Sequence, residues 1–489
     1  MTLGVERREL APGLTISRLV TGLWQLADME RDGRTVDLDA AAGAMSAYAE
    51  AGFTTFDMAD HYGSAEEVAG RFSASRAAVP QSAATEGIQL FTKWVPKPGP
   101  VTREQVRAAV QRALDRLKAS RIDLLQLHAW RFSSPSWLDC LVFLQELQEE
   151  GRIAHLGLAN FDTSHLRIAL SSGFRVVSNQ LSFSLIDQRA RGRMSALCRE
   201  RGVQLLAYGT LAGGFLTEKW LERPAPSERE LATWSLMKYA RFVQGAGGWE
   251  ALQRVLRATH GVSKKHGVSM ANVACRAILE EPAVAGIIVG ARLGERAHFE
   301  DNARVFSFRL DDDDRRALAA AQATLLAIPG DCGDEYRKPP FLTASGDLSH
   351  HVDEFPPPYP TRADGDRTIC LSGTPWESLA GYSRAVRRGN RICVSGTTAS
   401  HRERAIGGRD AAAQTHFVID KLEGALESLG ARLEDVVRTR VFVRDVALWE
   451  SVARAHGERF GHIQPANTLV EAALVSEEAL VEIEADAEV

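Results

Sequence analysis

Four residues able to move protons stand at or beside the ends of apolar runs in the first third of the chain: Asp57, Tyr62, Lys93 and His128. A buried Lys needs an anion, and a Tyr with an ordinary pKa of about 10 needs help to exchange a proton near neutrality. Asp57 paired with Lys93, with Lys93 lowering the pKa of Tyr62, would meet both needs. His128 would then orient a substrate oxygen or share the proton. Singly, a strand-end Lys ion-pairs, a lone His hydrogen-bonds and a loop Tyr packs. Convergence on successive strand ends is what points to a site.

The elements that position them follow a regular alternation. Leu19–Leu23, Thr54–Asp57, Gln89–Lys93, Leu124–His128, Ile153–Leu158, Val176–Gln180, Gln204–Tyr208 and Gly286–Val289 read as strands, separated by helical patterns such as Arg103–Lys118. Eight such units predict an α/β fold, a (β/α)8 TIM barrel, whose chemistry sits at the carboxyl ends of its strands. Thr217 to Gly248 reads as an insertion in the seventh loop. Asp311–Asp314 precedes a helical run and suits a helix amino terminus rather than a metal site. Pro339–Pro340, Gly346–Glu354 and the Pro-rich Phe355–Pro360 read as a stiff linker. After it, strands at Arg391–Thr397, Asp435–Val443, Thr468–Ala473 and Leu480–Ala487, with helices at Asp410–Leu429 and Trp449–Phe460, predict a small α+β domain. The expected bounds are 1–330 for the barrel, 331–368 for the linker and 369–489 for the second domain.

Composition sets outer limits. The 489 residues are 45% hydrophobic and 25% charged, with 58 Lys+Arg against 63 Asp+Glu for a net −5, which excludes disordered and collagen-like chains. No basic run offers a track for phosphates, so no nucleic-acid partner is expected. The charged Glu6–Glu9 segment interrupts any signal-peptide core, and Ala283–Ala291 is too short to span a bilayer. A cytoplasmic protein without membrane contact is expected. Six scattered Cys show no C-x-x-C pair and no zinc-ligand spacing, so no metal is expected.

Residues 10 to 326 resemble the aldo-keto reductase superfamily. Phe56-Asp57-Met58-Ala59-Asp60-His61-Tyr62-Gly63 is similar to that family's D-x-A-x-x-Y-G motif, Phe91-Thr92-Lys93 to its Lys strand, and Leu125-Gln126-Leu127-His128 to its His strand. The resemblance implies that Asp57, Tyr62, Lys93 and His128 form a catalytic tetrad, with Tyr62 as proton donor during hydride transfer from a nicotinamide to a carbonyl, possible imines included. Gly157-Leu158-Ala159-Asn160-Phe161 resembles G-x-S-N-F, which assigns Asn160 to the carboxamide and notes Ala159 in place of Ser. By the same resemblance Gln180 binds the amide and Tyr208 stacks on the nicotinamide; Gly209 and Leu211 are further cofactor candidates, and the Thr210–Gly214 segment could offer backbone N–H groups to the pyrophosphate. Gly290, Ala291 and Arg292 resemble the adenosine-phosphate loop, and Asp301-Asn302 the pair near adenine. Arg292, Arg296 and His298 could face a 2′-phosphate, which favours NADP(H) over NAD(H). Trp24, Trp94 and Trp130 beside strand ends would line an aromatic mouth for a small carbonyl substrate.

Residues 371 to 488 resemble the RidA/YjgF family, whose fold is chorismate-mutase-like. The similar segments include Ile392-Cys393-Val394-Ser395-Gly396-Thr397, Pro465-Ala466-Asn467-Thr468 and Val481-Glu482-Ile483-Glu484-Ala485. The resemblance implies a pocket of Tyr382, Ser395, Gly396, Asn467 and Glu484, with Glu484 positioning water, and a trimer. Asn467 replaces the family Arg, and an amide cannot make the bidentate ion pair that Arg makes with a carboxylate. Altered ligand binding or imine hydrolysis, a homo-oligomerising module and a relic all stay open. A catalytically weak, cofactor-binding redox sensor or scaffold is the alternative to a reductase.

Overall fold

The computed structural model describes residues 4–31, 33–77, 87–295, 297–337 and 355–489. A hairpin, β1 (Arg7–Ala11) with β2 (Leu14–Ser17), comes first. All eight expected barrel strands form: β3 (Leu19–Gly22), β4 (Thr55–Asp57), β5 (Gln89–Trp94), β6 (Ile122–His128), β7 (Ile153–Ala159), β8 (Val176–Ser182), β9 (Gln204–Tyr208) and β10 (Val284–Gly290). They pair in parallel, and β10 closes on β3. Side chains alternate along each strand, so Phe91, Leu124 and Leu206 point into the barrel one layer below the residues expected to do chemistry. The hairpin, which the sequence patterns do not predict, buries Leu10, Leu14 and Ile16 against that layer and plugs the amino-terminal end.

The stretch expected as linker is narrower than 331–368. Arg189 reaches out of the loop after β8 and donates to Glu335 at 2.8 Å and Asp187 at 2.8 Å, with all three side chains buried. Arg337 donates to the Ala129 carbonyl at 2.8 Å and lies over the Phe132 ring. Residues 328–337 therefore form a strap across the barrel mouth. At the other end, β11 (Thr361–Asp364) and β12 (Arg367–Cys370) already belong to the second sheet. Pro339–Pro340 and Gly346–Glu354 lie outside the described residues.

That sheet adds β13 (Ala385–Arg388), β14 (Arg391–Thr398), β17 (Val436–Val443), β18 (Ala466–Glu471) and β19 (Val481–Glu488), while β15 (Ser400–His401) and β16 (Arg404–Ala405) pair as a separate ribbon. The order of the sheet is β11-β12-β13-β14-β19-β17-β18. The helix Ala411–Ser428 packs on it through Phe417, Leu422 and Leu426 and turns its other side to the barrel helix Thr163–Ser171. Gly424 permits this approach, since a Cβ there would stand 2.3 Å from the Ser133 carbonyl. Among the described residues no helix is long and apolar enough to cross a membrane.

His165 pins the two parts together. Its ring accepts stacking from Phe132 at 3.5 Å, Nδ1 meets Asp162 at 2.7 Å and Nε2 meets Asp420 of the second domain at 3.0 Å. Burial alone would lower the His165 pKa, but the two carboxylates outweigh it and raise the value from 6.5 to about 9. A folded pKa above the unfolded one means the stabilisation is complete below about pH 6.5 and is lost as pH rises through about 9. Its size is on the order of 3 kcal/mol. Thermal unfolding of the full chain should therefore show a falling midpoint across that window, and His165→Asn should flatten the slope; an unchanged slope in the variant refutes the assignment.

Candidate active site

The centre of the barrel mouth is an ion pair held by amides. Lys93 Nζ donates to Asp57 Oδ2 at 2.6 Å, and both side chains are buried. The other Asp57 oxygen accepts from Gln126 at 3.0 Å and Gln180 at 2.7 Å, and Gln180 also donates to Gln126 Oε1. Burial pushes the Lys93 pKa down, and Asp57 opposes that shift. The Lys93 ammonium stands 4.9 Å from the centre of the Tyr62 ring, whose edges meet Trp24 and His61.

His128 is set by a chain of hydrogen bonds. Tyr208 donates its hydroxyl to Asn160 Oδ1 at 2.7 Å, which turns the Asn160 NH2 toward His128 Nδ1 at 3.2 Å. Nδ1 then accepts, and the ring proton resides on Nε2. Burial, together with the charges of Arg337, His61, Lys238 and Lys93, holds the His128 pKa well below its ordinary value, so the imidazole is neutral. Nε2 is buried and has no hydrogen-bond partner among the described residues. Asn160 adopts φ +59°, a conformation Asn tolerates better than most residues, and this aims its amide inward.

A cavity of about 340 Å³ joins these groups. It is lined by all four tetrad candidates and by Trp24, Trp130, Asn160, Gln180, Tyr208, Gly209, Leu211 and Gly290. Trp94 is not among its lining residues. β5 runs one residue past Lys93, and alternation sends Trp94 outward into the helix layer, where it is buried; Val95 takes the place at the mouth. Ala291, Arg292, Asp301 and Asn302 also lie off the cavity. The Asp301 carboxylate accepts from Ser269 and Asn272 at the start of the helix Met270–Leu279. Arg292 and Arg34 both face Glu295, at 3.8 and 2.6 Å. Arg296 lies outside the described residues. Two lining groups come from segments read as insertion and linker: Lys238, on the helix Trp234–Gly245, and Tyr336, on the strap. No local sequence signal marks either one.

In the second domain the expected pocket only partly assembles. Ser395 donates to the Ser383 carbonyl, and Arg384 ties down Gly396 while lying over the Tyr382 ring. The carboxylate against Gly396 is that of Glu482, not Glu484: a Cβ on Gly396 would stand 2.2 Å from Glu482 Oε1. Glu484, one step along the same face of β19, is engaged by Arg440 at 3.0 Å. Asn467 donates to Thr439, which itself bonds His456 on the helix side, so Asn467 lies on the opposite face of the sheet from Glu484.

Comparison with known proteins places both halves. The profile of the aldo/keto reductase family matches residues 18–323. The chain belongs to the aldo/keto reductase family. A second profile, described as endoribonuclease L-PSP, matches residues 374–489, and the carboxyl-terminal part is a domain of the RidA/YjgF kind. Protein tas of Escherichia coli is 29% identical over 213 residues, 39% of this chain and 59% of that protein. The match thus spans well under two thirds of that relative. A chloroplastic pyridoxal reductase of Arabidopsis thaliana is 25% identical over 63% of this chain and 84% of its own length. A solved Mycobacterium tuberculosis protein, described as a member of the YjgF/YER057c/UK114 family, is 48% identical, covering 25% of this chain and 99% of its own, with a TM-score of 0.23.

The nicotinamide cofactor implied by aldo/keto reductase membership fits the residues present. Gln180 has committed its NH2 to Asp57 and Gln126, so it offers a carboxamide its carbonyl oxygen, while Asn160 and the Tyr208 ring border the same space. Gly209 sits at φ +70°, and a Cβ there would stand 2.1 Å from the Tyr239 hydroxyl, so this turn in the cavity lining requires Gly. Gly209→Ala should weaken NADPH binding at least tenfold in a fluorescence titration; an unchanged Kd would show that the turn does not serve the cofactor.

Proposed function

We propose that this protein is a nicotinamide-dependent reductase of small aldehydes or ketones. The observation that carries this reading is the neutral, proton-bearing and unpartnered Nε2 of His128 in the wall of the cavity that Tyr62 and Lys93 also line. A buried donor without a partner costs free energy unless a ligand acceptor completes it. A carbonyl oxygen is such an acceptor, and Tyr62 donates to the same atom. A bound nicotinamide supplies the hydride. Tyr62 delivers the proton, and the ammonium of Lys93 beside its ring favours the phenolate that remains. Asp57 holds Lys93 in place, and Trp24 against Tyr62 keeps water from the oxygen. NADPH is the favoured form, as the resemblance of Gly290-Ala291-Arg292 to the family's adenosine-phosphate loop implies. The reductase name of the Arabidopsis relative agrees with a carbonyl substrate.

We assign the second domain to assembly of a homotrimer, as the RidA/YjgF resemblance implies. Two of its polar pocket residues are already engaged, Glu484 by Arg440 and Asn467 by Thr439, and Val437, Val470 and Val475 are exposed apolar side chains on and around β17 and β18.

Tyr62→Phe should lower the turnover of any carbonyl substrate by about 10²- to 10⁴-fold while keeping the NADPH Kd within about twofold. Undiminished turnover sinks the reductase reading. Light scattering of the full chain should give three times its 53.4 kDa mass; a monomer mass would remove the assembly role.

A further inference from the structure

Tyr208 and Asn160, which set the ring of His128, are themselves reached from outside the eight βα units. The Tyr208 hydroxyl lies 3.2 Å from the hydroxyl of Tyr336 on the strap, and Lys238, on the helix Trp234–Gly245, donates to that second hydroxyl at 2.5 Å. The groups in this row differ in kind. An ammonium carries donors and no acceptor, whereas a phenol has one proton to give. Tyr208 gives its proton to Asn160 Oδ1 at 2.7 Å, so toward Tyr336 it can only accept. Tyr336 accepts from Lys238 on one side and gives its proton to Tyr208 on the other.

Every bond in the row therefore runs one way: from Lys238 to Tyr336, to Tyr208, to Oδ1 of Asn160, whose NH2 then faces His128 Nδ1 at 3.2 Å. Reversal at any point would set two protons or two lone pairs against each other, and hydrogen bonds in a row also strengthen one another. Burial holds the pKa of Tyr208 well above its ordinary value, so this hydroxyl keeps the proton it shares with Asn160. The outcome at the far end is a bare Nδ1 and a proton on Nε2, on a ring that lines the cavity. The opposite tautomer would turn a lone pair toward a carbonyl oxygen and repel it. Tyr336 is held in place from both sides, with Glu335 on Arg189 at 2.8 Å, Arg337 on the Ala129 carbonyl at 2.8 Å, and its own ring 5.2 Å from that of His128.

We propose that Lys238 and Tyr336 are positioning residues that fix the tautomer of His128 through Tyr208 and Asn160. This deepens the reductase reading and rests on it for its use, because Nε2–H is the donor which that reading gives to the substrate carbonyl. Neither Lys238 nor Tyr336 need touch the substrate. Two segments outside the eight βα units, the helix that follows β9 and the strap, thereby control a proton at the end of β6.

The test is nitrogen-15 NMR of the full chain labelled at histidine, without substrate, with the His128 signals assigned by their loss in His128→Asn. In the wild type the bare Nδ1 and the protonated Nε2 should resonate far apart. Tyr336→Phe and Lys238→Met each remove a donor from the row, which shifts the proton balance between the two nitrogens by about fivefold, so their splitting should shrink by about a tenth or more. Lys238→Arg keeps a charged donor beside Tyr336 and should retain the wild-type splitting. With NADPH and 4-nitrobenzaldehyde, Tyr336→Phe and Lys238→Met should lower kcat about fivefold and leave KM within about twofold. A wild-type His128 protonated on Nδ1 overturns the proposal, and so does an unchanged splitting in either of those two variants. A splitting in Lys238→Arg as small as in Lys238→Met overturns it as well, since disturbed packing and not the lost donor would then be the cause. A shrunken splitting with kcat unchanged counts instead against the donor role of His128, and absence of turnover in the wild type against the reductase reading, because the tautomer is read without substrate.

Discussion

Lys93 carries an ammonium into a barrel interior where an isolated charge would cost several kcal/mol, and the surrounding architecture meets that cost. Asp57 supplies the countercharge at 2.6 Å, and two amides from β6 and β8 saturate the oxygen that Lys93 leaves over. Four strands must therefore be in register before the pair is complete. Parallel closure of the barrel provides this, because Lys93 is paired with Gln126 in the β5–β6 ladder and Ala159 with Gln180 in the β7–β8 ladder. The same network positions a cation beside the Tyr62 ring, so the charge that is hardest to bury is also the one the chemistry uses.

The second constraint is the strap. Its residues are knit together by tight turns, with Asp334 accepting from the Asp331 N–H and Tyr336 donating to the Gly333 carbonyl, and the whole is anchored on partners far away in sequence: Glu335 on Arg189, Arg337 on the Ala129 carbonyl, and Asp331 on the backbone N–H of Thr163. Each of those partners lies in a loop or helix start after β6, β7 or β8. The strap thus reads the carboxyl ends of three consecutive strands at once, which fixes Tyr336 relative to His128 more firmly than a free loop would.

How far the sequence could be read follows from the range of the interactions. The barrel strands are legible because each is a short apolar run, and the tetrad because each member ends or follows one. Trp94 is misplaced because a reading by proximity to Lys93 ignores the alternation that sends adjacent side chains to opposite faces. Cys332-Gly333-Asp334-Glu335-Tyr336-Arg337 looks like the start of a polar linker, since nothing local reveals that Arg189 will bury Glu335. In Val481-Glu482-Ile483-Glu484 both carboxylates share one face, and only the pairing of β14 with β19 decides that Glu482 meets Gly396. Residues 361–364 escaped as a strand because all four are exposed and show no apolar alternation.

The order of layers bears on why the two domains share a chain. The helix Ala411–Ser428 lies between the barrel and the second sheet, its Asp420 bound to His165 on one side while its Phe417 and Leu422 pack on the other. Val441, Ile483 and Ala485 point toward that helix, so by alternation Arg440, Glu482 and Glu484 point away from it. A product leaving the cavity beside Tyr62 would have to pass around the whole second domain to reach Glu482 of its own chain. Direct handover within one chain is therefore the arrangement least suited to this geometry. What the fusion does provide is stiffness: the His165 pin, together with Arg167 on Asp410 and Ser133 on Glu427, fixes the second domain against the loops that follow β6 and β7. Those are the loops that carry Trp130 and the strap partner Thr163, so the position of the second domain and the shape of the substrate mouth are set by one continuous set of contacts.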